Sequence, residues 1–324
     1  MKVLVAEPLA EEGLALLREQ HQVDVRLGLA RDELLAALPG YEALLVRSQV
    51  SVDAEALAAG SRLLVVGRAG VGTDNIDLAA ATRAGVTVVN APTANTIAAA
   101  EHTLALLYAL ARRVPAADAS VRRGEWKRGQ FMGQELRGRT LGIVGLGRIG
   151  MAIADRARAM EMDLLGHDPY VTQEAAGQHG VQLVPLAELL ERADAVTLHV
   201  PLSHATRGLV GAAELARMKP GAVLVNVARG GVVDEAALAD ALGAGRLGGA
   251  AIDVYEHEPP TGSPLLEAPN TVLTPHLGAS TEEAQARVAL ETVQQVLDVL
   301  AGKPARYAVN APLVPAETAA ELAP

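Results

Sequence analysis

The 324-residue chain contains no cysteine, and that excludes a disulfide framework, a thiolate nucleophile and a cysteine-ligated metal site. Such a chain suits a reducing compartment, and a cytoplasmic location is expected. Aromatic residues are nearly missing, with one Trp, one Phe and five Tyr, so Ala, Val, Leu and Gly must carry the packing. Cations are outnumbered, and the formal net charge of −10 argues against general affinity for nucleic acid or an anionic membrane, both of which favour basic surface. Long apolar runs are also lacking. IAAAEHTLALLYALA is interrupted by Glu101 and His102 before it reaches the roughly 18 residues of a membrane span. At the N-terminus, Glu7, Glu11 and Glu12 interrupt any signal-peptide core. A soluble protein is expected.

Against these absences stands LGIVGLGRIG, Leu141 to Gly150. An apolar run leads into Gly145, Gly147 and Gly150, and a helical pattern follows. In such a turn the first glycine permits the bend, the second admits a pyrophosphate, and the third lets helix and strand pack closely. A second apolar run, MDLLGHD, ends in Asp168, about 18 residues past Gly150, where an acidic residue holds the ribose hydroxyls of a dinucleotide. Asp168 would repel a 2′-phosphate, and Pro169 and Tyr170 supply no cation, so NAD is favoured over NADP.

Strand-like and helix-like stretches alternate along the chain, which predicts α/β architecture with parallel sheets covered on both faces. KVLVAE, QVDVRL, EALLVRS, RLLVVGRAG and VTVVNAP read as five strands of a small flavodoxin-like domain. TLGIVGLG, MDLLGHD, AVTLHVP, AVLVNVARGG, GGAAIDVYE and TVLTPHLG read as six strands of a Rossmann domain. Thr96 to Arg113 reads as one buried helix, followed by a polar, basic connector reaching to about Gly138. The layout is expected to be discontinuous: 1–96 with 281–324 as one domain, and 97–280 as the NAD-binding domain. Another strand-like segment is expected in PARYAVNAPLVP, and AETAAELAP reads as the start of a linker.

Three residues combine at the ends of the later strands. Arg229 follows AVLVNV, Glu258 follows AIDVY, and His276 follows TVLTP. A guanidinium can grip a carboxylate bidentately, a histidine can take a hydroxyl proton near neutrality, and a carboxylate can stabilise its imidazolium. On residue type alone, Arg229 also suits a turn cap and Glu258 a solvated loop carboxylate.

GLGRIG, NVARGGVVDEAAL, DVYEHEPP and TPHLGAST, in that order and spacing, resemble the D-2-hydroxyacid dehydrogenases over nearly the whole chain. The resemblance implies that His276 is the acid/base, Glu258 its partner and Arg229 the substrate-binding cation. It implies cofactor contacts at Arg148, Ile149, Asp168 and Ala228, and a nicotinamide contact at Asp253. It implies substrate contacts at Arg47, Ser48, Val71, Gly72 and Asn95, and a homodimer or dimer of dimers built on the region near Thr96. VRSQVSV, VVGRAGVGTDNIDLAAATRAGV and GEWKRGQFMGQELRG are most similar to members that oxidise 3-phospho-D-glycerate to 3-phosphooxypyruvate in serine synthesis. Arg47, Arg68, Lys127 and Arg128 are cations available to a substrate phosphate, although a basic connector equally suits a solvated face. Members of this kind often continue into C-terminal regulatory domains, and the chain ends where these would begin, so feedback through them is not expected. The alternatives are a glyoxylate or hydroxypyruvate reductase and, in another class, a nucleotide-sensing binding protein of corepressor type. A formate dehydrogenase is disfavoured, because its substrate needs no acid/base pair.

Overall fold

Short valine- and leucine-rich runs set the first sheet in the computed structural model, which describes residues 1–310. KVLV, QVDV, ALLV, VVGR and TVVN form β1 (Lys2–Val5), β2 (Gln22–Val25), β3 (Ala43–Val46), β4 (Val65–Arg68) and β5 (Thr87–Asn90). All pair in parallel in the order β2-β1-β3-β4-β5. β3 is buried along its length, as a strand covered on both faces must be. One face packs Leu4, Leu44 and Val66 against Leu34 and Leu57. The other packs Val3, Leu45 and Val65 against Leu17 and against Val293 and Val296 of the helix Glu282–Leu300. That helix starts where Thr281 caps Ala284 N–H at 3.1 Å, with Glu282 and Glu283 complementing its dipole. The order reverses between β1 and β3, and the carboxyl ends beside such a switch are where open α/β sheets take ligands.

The second sheet holds β6 (Thr140–Val144), β7 (Asp163–His167), β8 (Gln182–Leu183), β9 (Ala195–Leu198), β10 (Val223–Asn226), β11 (Gly249–Ile252) and β12 (Thr271–Leu273). The order is β12-β11-β10-β9-β6-β7-β8, again all parallel, with the switch between β6 and β9. Separate apolar cores cover its two faces. One gathers Leu189, Val196, Leu224 and Leu238, and the other Leu107, Ile143, Ile153 and Val225. The chain thus divides into two compact units, Met1–Asn95 with the chain from Thr281 onward, and Thr96–Ser280.

Three elements differ from expectation. The second sheet has a seventh strand, β8, whose two residues are too few for any periodicity to register. The preceding helix Gln173–Gln178 is likewise short, and Thr172 caps it. The connector after the long helix is not all loop: the helix Thr96–Ala111 stops at Arg113, whose φ is +52°, and a second helix, Val114–Arg122, restarts at once. Pro115 lies in its first turn, where the missing N–H costs nothing. Between Leu300 and Asn310 the described residues make one antiparallel bridge, Ala308 to Val89, rather than a strand. The rest of the strand-like segment and the linker-like AETAAELAP fall outside the described residues. No described helix is long and apolar enough to cross a membrane.

Candidate active site

The glycine turn has the shape its sequence requires. Gly145 follows β6 with a φ of +94°, and its N–H donates to His167 O at 2.9 Å. A Cβ there would lie 2.5 Å from His199 O, and one on Gly150 would lie 2.1 Å from Gly145 O. Only glycine lets the helix Arg148–Ala159 begin this close to the turn. Gly147 is its N-cap residue and has nothing within 4 Å of where a Cβ would be. An open space at the N-terminus of a three-turn helix fits a pyrophosphate. Arg148 and Ile149 occupy the first two helical positions, Arg148 exposed and Ile149 half-buried.

Asp168 stands just beyond β7. Its Oδ2 accepts Leu146 N–H and its Oδ1 accepts Tyr170 N–H, both at 2.8 Å. A carboxylate has about four acceptor sites, so two remain for ribose hydroxyls. The turn, the helix end and this carboxylate together fit a dinucleotide.

The reactive side chains gather at the carboxyl ends of β10, β11 and β12. His276 Nδ1 lies 2.8 Å from Glu258 Oε2. Glu258 Oε1 accepts Tyr255 N–H at 3.2 Å, which turns the carboxyl group toward the ring. Burial works to raise the Glu258 carboxyl, but the His276 hydrogen bond, its charge and the Tyr255 amide outweigh it and hold Glu258 below the ordinary carboxylate value. Arg229 sits in a loop fixed by Asn226, whose side chain donates to Arg229 O at 3.0 Å and accepts Ala228 N–H at 3.1 Å. Arg229 Nη1 donates to Ala228 O at 2.7 Å. A Cβ on Gly230 would lie 1.8 Å from Tyr255 O. The missing side chain therefore lets the Arg229 loop close on the loop that carries Glu258.

Asp253 is fully buried. Its Oδ1 accepts Leu277 N–H at 2.7 Å and the Thr274 hydroxyl at 2.6 Å, and its Oδ2 accepts Gly278 N–H at 2.9 Å. Its carbonyl accepts His276 N–H at 2.9 Å. His102 Nε2, on the long helix, lies 3.2 Å from the same Oδ1. Burial works to raise this carboxyl, yet the donors from His102, Thr274 and Leu277 prevail and hold it low. His276 itself has a φ of +56°, a conformation an L-residue keeps only where its surroundings over-determine it. His199 is a different kind of histidine: burial alone drops its pKa to about 3, and its Nε2 pairs with Thr197 Oγ1 at 2.8 Å. It is a neutral, structural residue.

In the first unit, Arg47 and Ser48 lie just past β3, with Arg47 half-buried and Ser48 exposed. Glu7, just past β1, holds that loop: it accepts Arg47 N–H at 2.6 Å, Gln49 N–H at 3.0 Å and Val50 N–H at 3.1 Å. Val71 and Gly72 are half-buried beyond β4, and Asn90 donates to Val71 O at 2.5 Å. Asn95, at the end of this unit, leaves its Oδ1 buried without a hydrogen-bond partner. Sequence reasoning passed over Glu7, His102 and Thr274. Glu7 at the end of an apolar strand was a usable signal. His102 and Thr274 offered none, because their partner Asp253 is remote from His102 in the chain.

The family profile for the D-isomer specific 2-hydroxyacid dehydrogenase NAD binding domain matches residues 104–278. A D-3-phosphoglycerate dehydrogenase of Archaeoglobus fulgidus is 50% identical over 316 residues, covering 97% of this chain and 60% of that protein. The chain thus spans less than two thirds of the length of this curated relative. The crystal structure of the TT0316 protein of Thermus thermophilus aligns with a TM-score of 0.89 at 40% identity, over 95% of this chain and all of that one. A glyoxylate reductase from Paecilomyes thermophila aligns with a TM-score of 0.86 at 30% identity, over 95% and 98% of the two chains.

Proposed function

This chain belongs to the D-isomer specific 2-hydroxyacid dehydrogenases, and we propose that it oxidises 3-phospho-D-glycerate to 3-phosphooxypyruvate with NAD, in serine synthesis. The observation that carries the chemistry is the 2.8 Å contact between His276 Nδ1 and Glu258 Oε2. With Nδ1–H committed to the carboxylate, Nε2 keeps the lone pair that takes the substrate's hydroxyl proton. Glu258 stays charged while that proton rests on the ring, and so stabilises the imidazolium. Arg229 holds the substrate carboxylate and keeps positive charge beside the carbonyl being formed. NAD, when bound, supplies the hydride acceptor. The turn from Gly145 to Gly150, with Arg148 and Ile149, takes the pyrophosphate, and Asp168 takes the adenosine ribose. Ala228 and Asp253 serve the nicotinamide end, where Asp253 also holds the His276 loop.

Residues 97–280 form the cofactor domain in this reading. Residues 1–96 with 281–324 bind substrate, through Arg47, Ser48, Val71, Gly72 and Asn95. The half identity to a D-3-phosphoglycerate dehydrogenase over nearly the whole chain supports the phosphorylated substrate. Ile97 and Tyr108, both 43% exposed on the helix Thr96–Ala111, support a homodimer or dimer of dimers, expected in the cytoplasm. Light scattering in solution checks that number.

NAD reduction by the purified chain, compared across 3-phospho-D-glycerate and glycerate, with glyoxylate and hydroxypyruvate in reverse, tests the substrate. The phosphorylated acid is expected to turn over with the highest kcat/KM. A preference for glyoxylate moves the chain to the reductase reading, to which the structural likeness to a glyoxylate reductase lends weight. Absence of turnover with all four leaves a nucleotide-binding protein of corepressor type.

A further inference from the structure

The geometry points to His102 as a positioning residue for the acid/base His276, acting through the buried Asp253 and resting on the dehydrogenase reading above. His102 lies within the helix Thr96–Ala111, whose buried positions are almost all Ala and Leu, and its side chain is 19% exposed. A lone histidine on such a helix is most simply a core residue with its polar atoms satisfied. This one is satisfied in a particular way: its Nε2 lies 3.2 Å from Asp253 Oδ1 and 3.3 Å from Thr274 Oγ1.

The Thr274 hydroxyl gives its single proton to Asp253 Oδ1, at 2.6 Å, so its oxygen is left to accept. Both neighbours of His102 Nε2 are therefore acceptors, and Nε2 must carry a proton. His102 is a donor into the cluster. The oxygen it meets, Oδ1, also receives Leu277 N–H, so one atom collects the residues on both sides of the Pro275–His276 pair. The backbone of His276 is pinned between those anchors and by its own N–H to Asp253 O. Removing the His102 donor takes one stabilising group from a buried carboxylate that holds the loop. The left-handed backbone of His276 then loses part of what over-determines it, and its ring leaves the transfer geometry for part of the time.

The consequence falls on turnover rather than on binding. His102→Leu keeps the apolar packing of the helix and is expected to lower kcat about ten- to a hundredfold, as small misplacements of a reacting group do. KM for NAD and for substrate should stay within about twofold, since Asp168 and the glycine turn are untouched. His102→Gln places an amide N–H where Nε2 was and should recover most of the rate. His102→Asn is polar but too short, and should behave like the leucine variant. Amide hydrogen exchange gives a readout independent of activity: Leu277 and Gly278 should exchange faster in the Leu and Asn variants and return to wild-type rates in the Gln variant. Unchanged exchange at Leu277 and Gly278 in His102→Leu, or a kcat within twofold of wild type, overturns the positioning role and leaves the dehydrogenase reading standing. A wild-type chain that turns over no 2-hydroxy acid defeats that reading, while the exchange comparison still decides for or against the brace.

Discussion

The loop that follows β3 and the loop that follows β12 are built by the same device in different units. In each, a carboxylate from the end of the neighbouring strand gathers the backbone N–H groups of the loop. Glu7 collects Arg47, Gln49 and Val50. Asp253 collects Leu277 and Gly278, while its own carbonyl takes His276. The difference lies in what else reaches the carboxylate. Among the described residues, the hydrogen bonds to Glu7 all come from the loop backbone, whereas Asp253 also receives the side chains of Thr274 and His102. A carboxylate bonded to backbone alone fixes where a loop runs. One shared with side chains ties that loop to a distant helix as well, and the residue presented there, His276, keeps a backbone it would not adopt alone.

The sharpest way to test that contrast begins with the residue the second loop presents. His276→Ala should lower kcat by about two to four orders of magnitude, the usual reach of general acid–base catalysis. NAD affinity, measured by fluorescence titration, should stay near wild type. An equal fall in NAD affinity would make His276 a structural residue and dissolve the contrast. Next come the two carboxylates. Asp253→Ala leaves several buried donors unpaired, at about 1–3 kcal/mol for each such group, and should lower both Tm and kcat, the latter about a hundredfold. Glu7→Ala should lower Tm as well, but raise the KM for substrate several-fold with kcat within about twofold. If Glu7→Ala instead lowers kcat with KM unchanged, the two loops are not divided into binding and chemistry.

How much of this was legible in advance follows from the same contrast. The glycine turn, Asp168, Arg229, Glu258 and His276 stood out as candidates because each is a reactive or conformationally special type near the end of an apolar run. Residue type left Arg229 open as a turn cap and Glu258 as a loop carboxylate, and their roles came from the family resemblance. Both sheets were readable because their strands are apolar runs separated by turn or helix patterns. β8 was not, since two residues cannot display a period. Neither was the helix Val114–Arg122, because polar and charged residues dilute its apolar face and only Arg112 and Arg113, the latter with positive φ, part it from the helix before. The braces stayed hidden for a further reason. A carboxylate that binds backbone N–H groups places no demand on the identity of the residues it binds, so no motif records it.

Glu258 gives a smaller effect with a definite sign. Its carboxyl is held below the ordinary value, chiefly by His276 against the opposing effect of burial, so it stays charged throughout the neutral range and keeps that charge as pH falls past the usual carboxylate range. Glu258→Gln keeps the shape of the group and removes the charge that stabilises the imidazolium, so kcat should fall about tenfold while KM for NAD and for substrate stays near wild type. An unchanged kcat in Glu258→Gln would mean that Glu258 does not act on the ring through its charge.

The least of the expected effects asks whether Asp168 is a third brace of the Glu7 kind or a selectivity residue. Its two oxygens already take Leu146 and Tyr170 N–H, so part of its work is to fix the glycine turn against β7. Glu7 and Asp168 are then alike as regards backbone, but Asp168 keeps acceptor capacity that the cofactor reading gives to the ribose. Asp168→Ala removes both contributions. Loss of the brace alone lowers Tm and weakens NAD and NADP equally, since both share the pyrophosphate that the turn holds. Loss of the ribose contact and of the repulsion toward a 2′-phosphate weakens NAD and spares NADP, so the ratio of their kcat/KM values moves toward NADP. Asp168→Asn keeps the side-chain shape and one carbonyl acceptor while removing the charge, so it should shift that ratio with a smaller fall in Tm. A lowered Tm with an unchanged ratio in both variants would place Asp168 with Glu7, as a brace and nothing more.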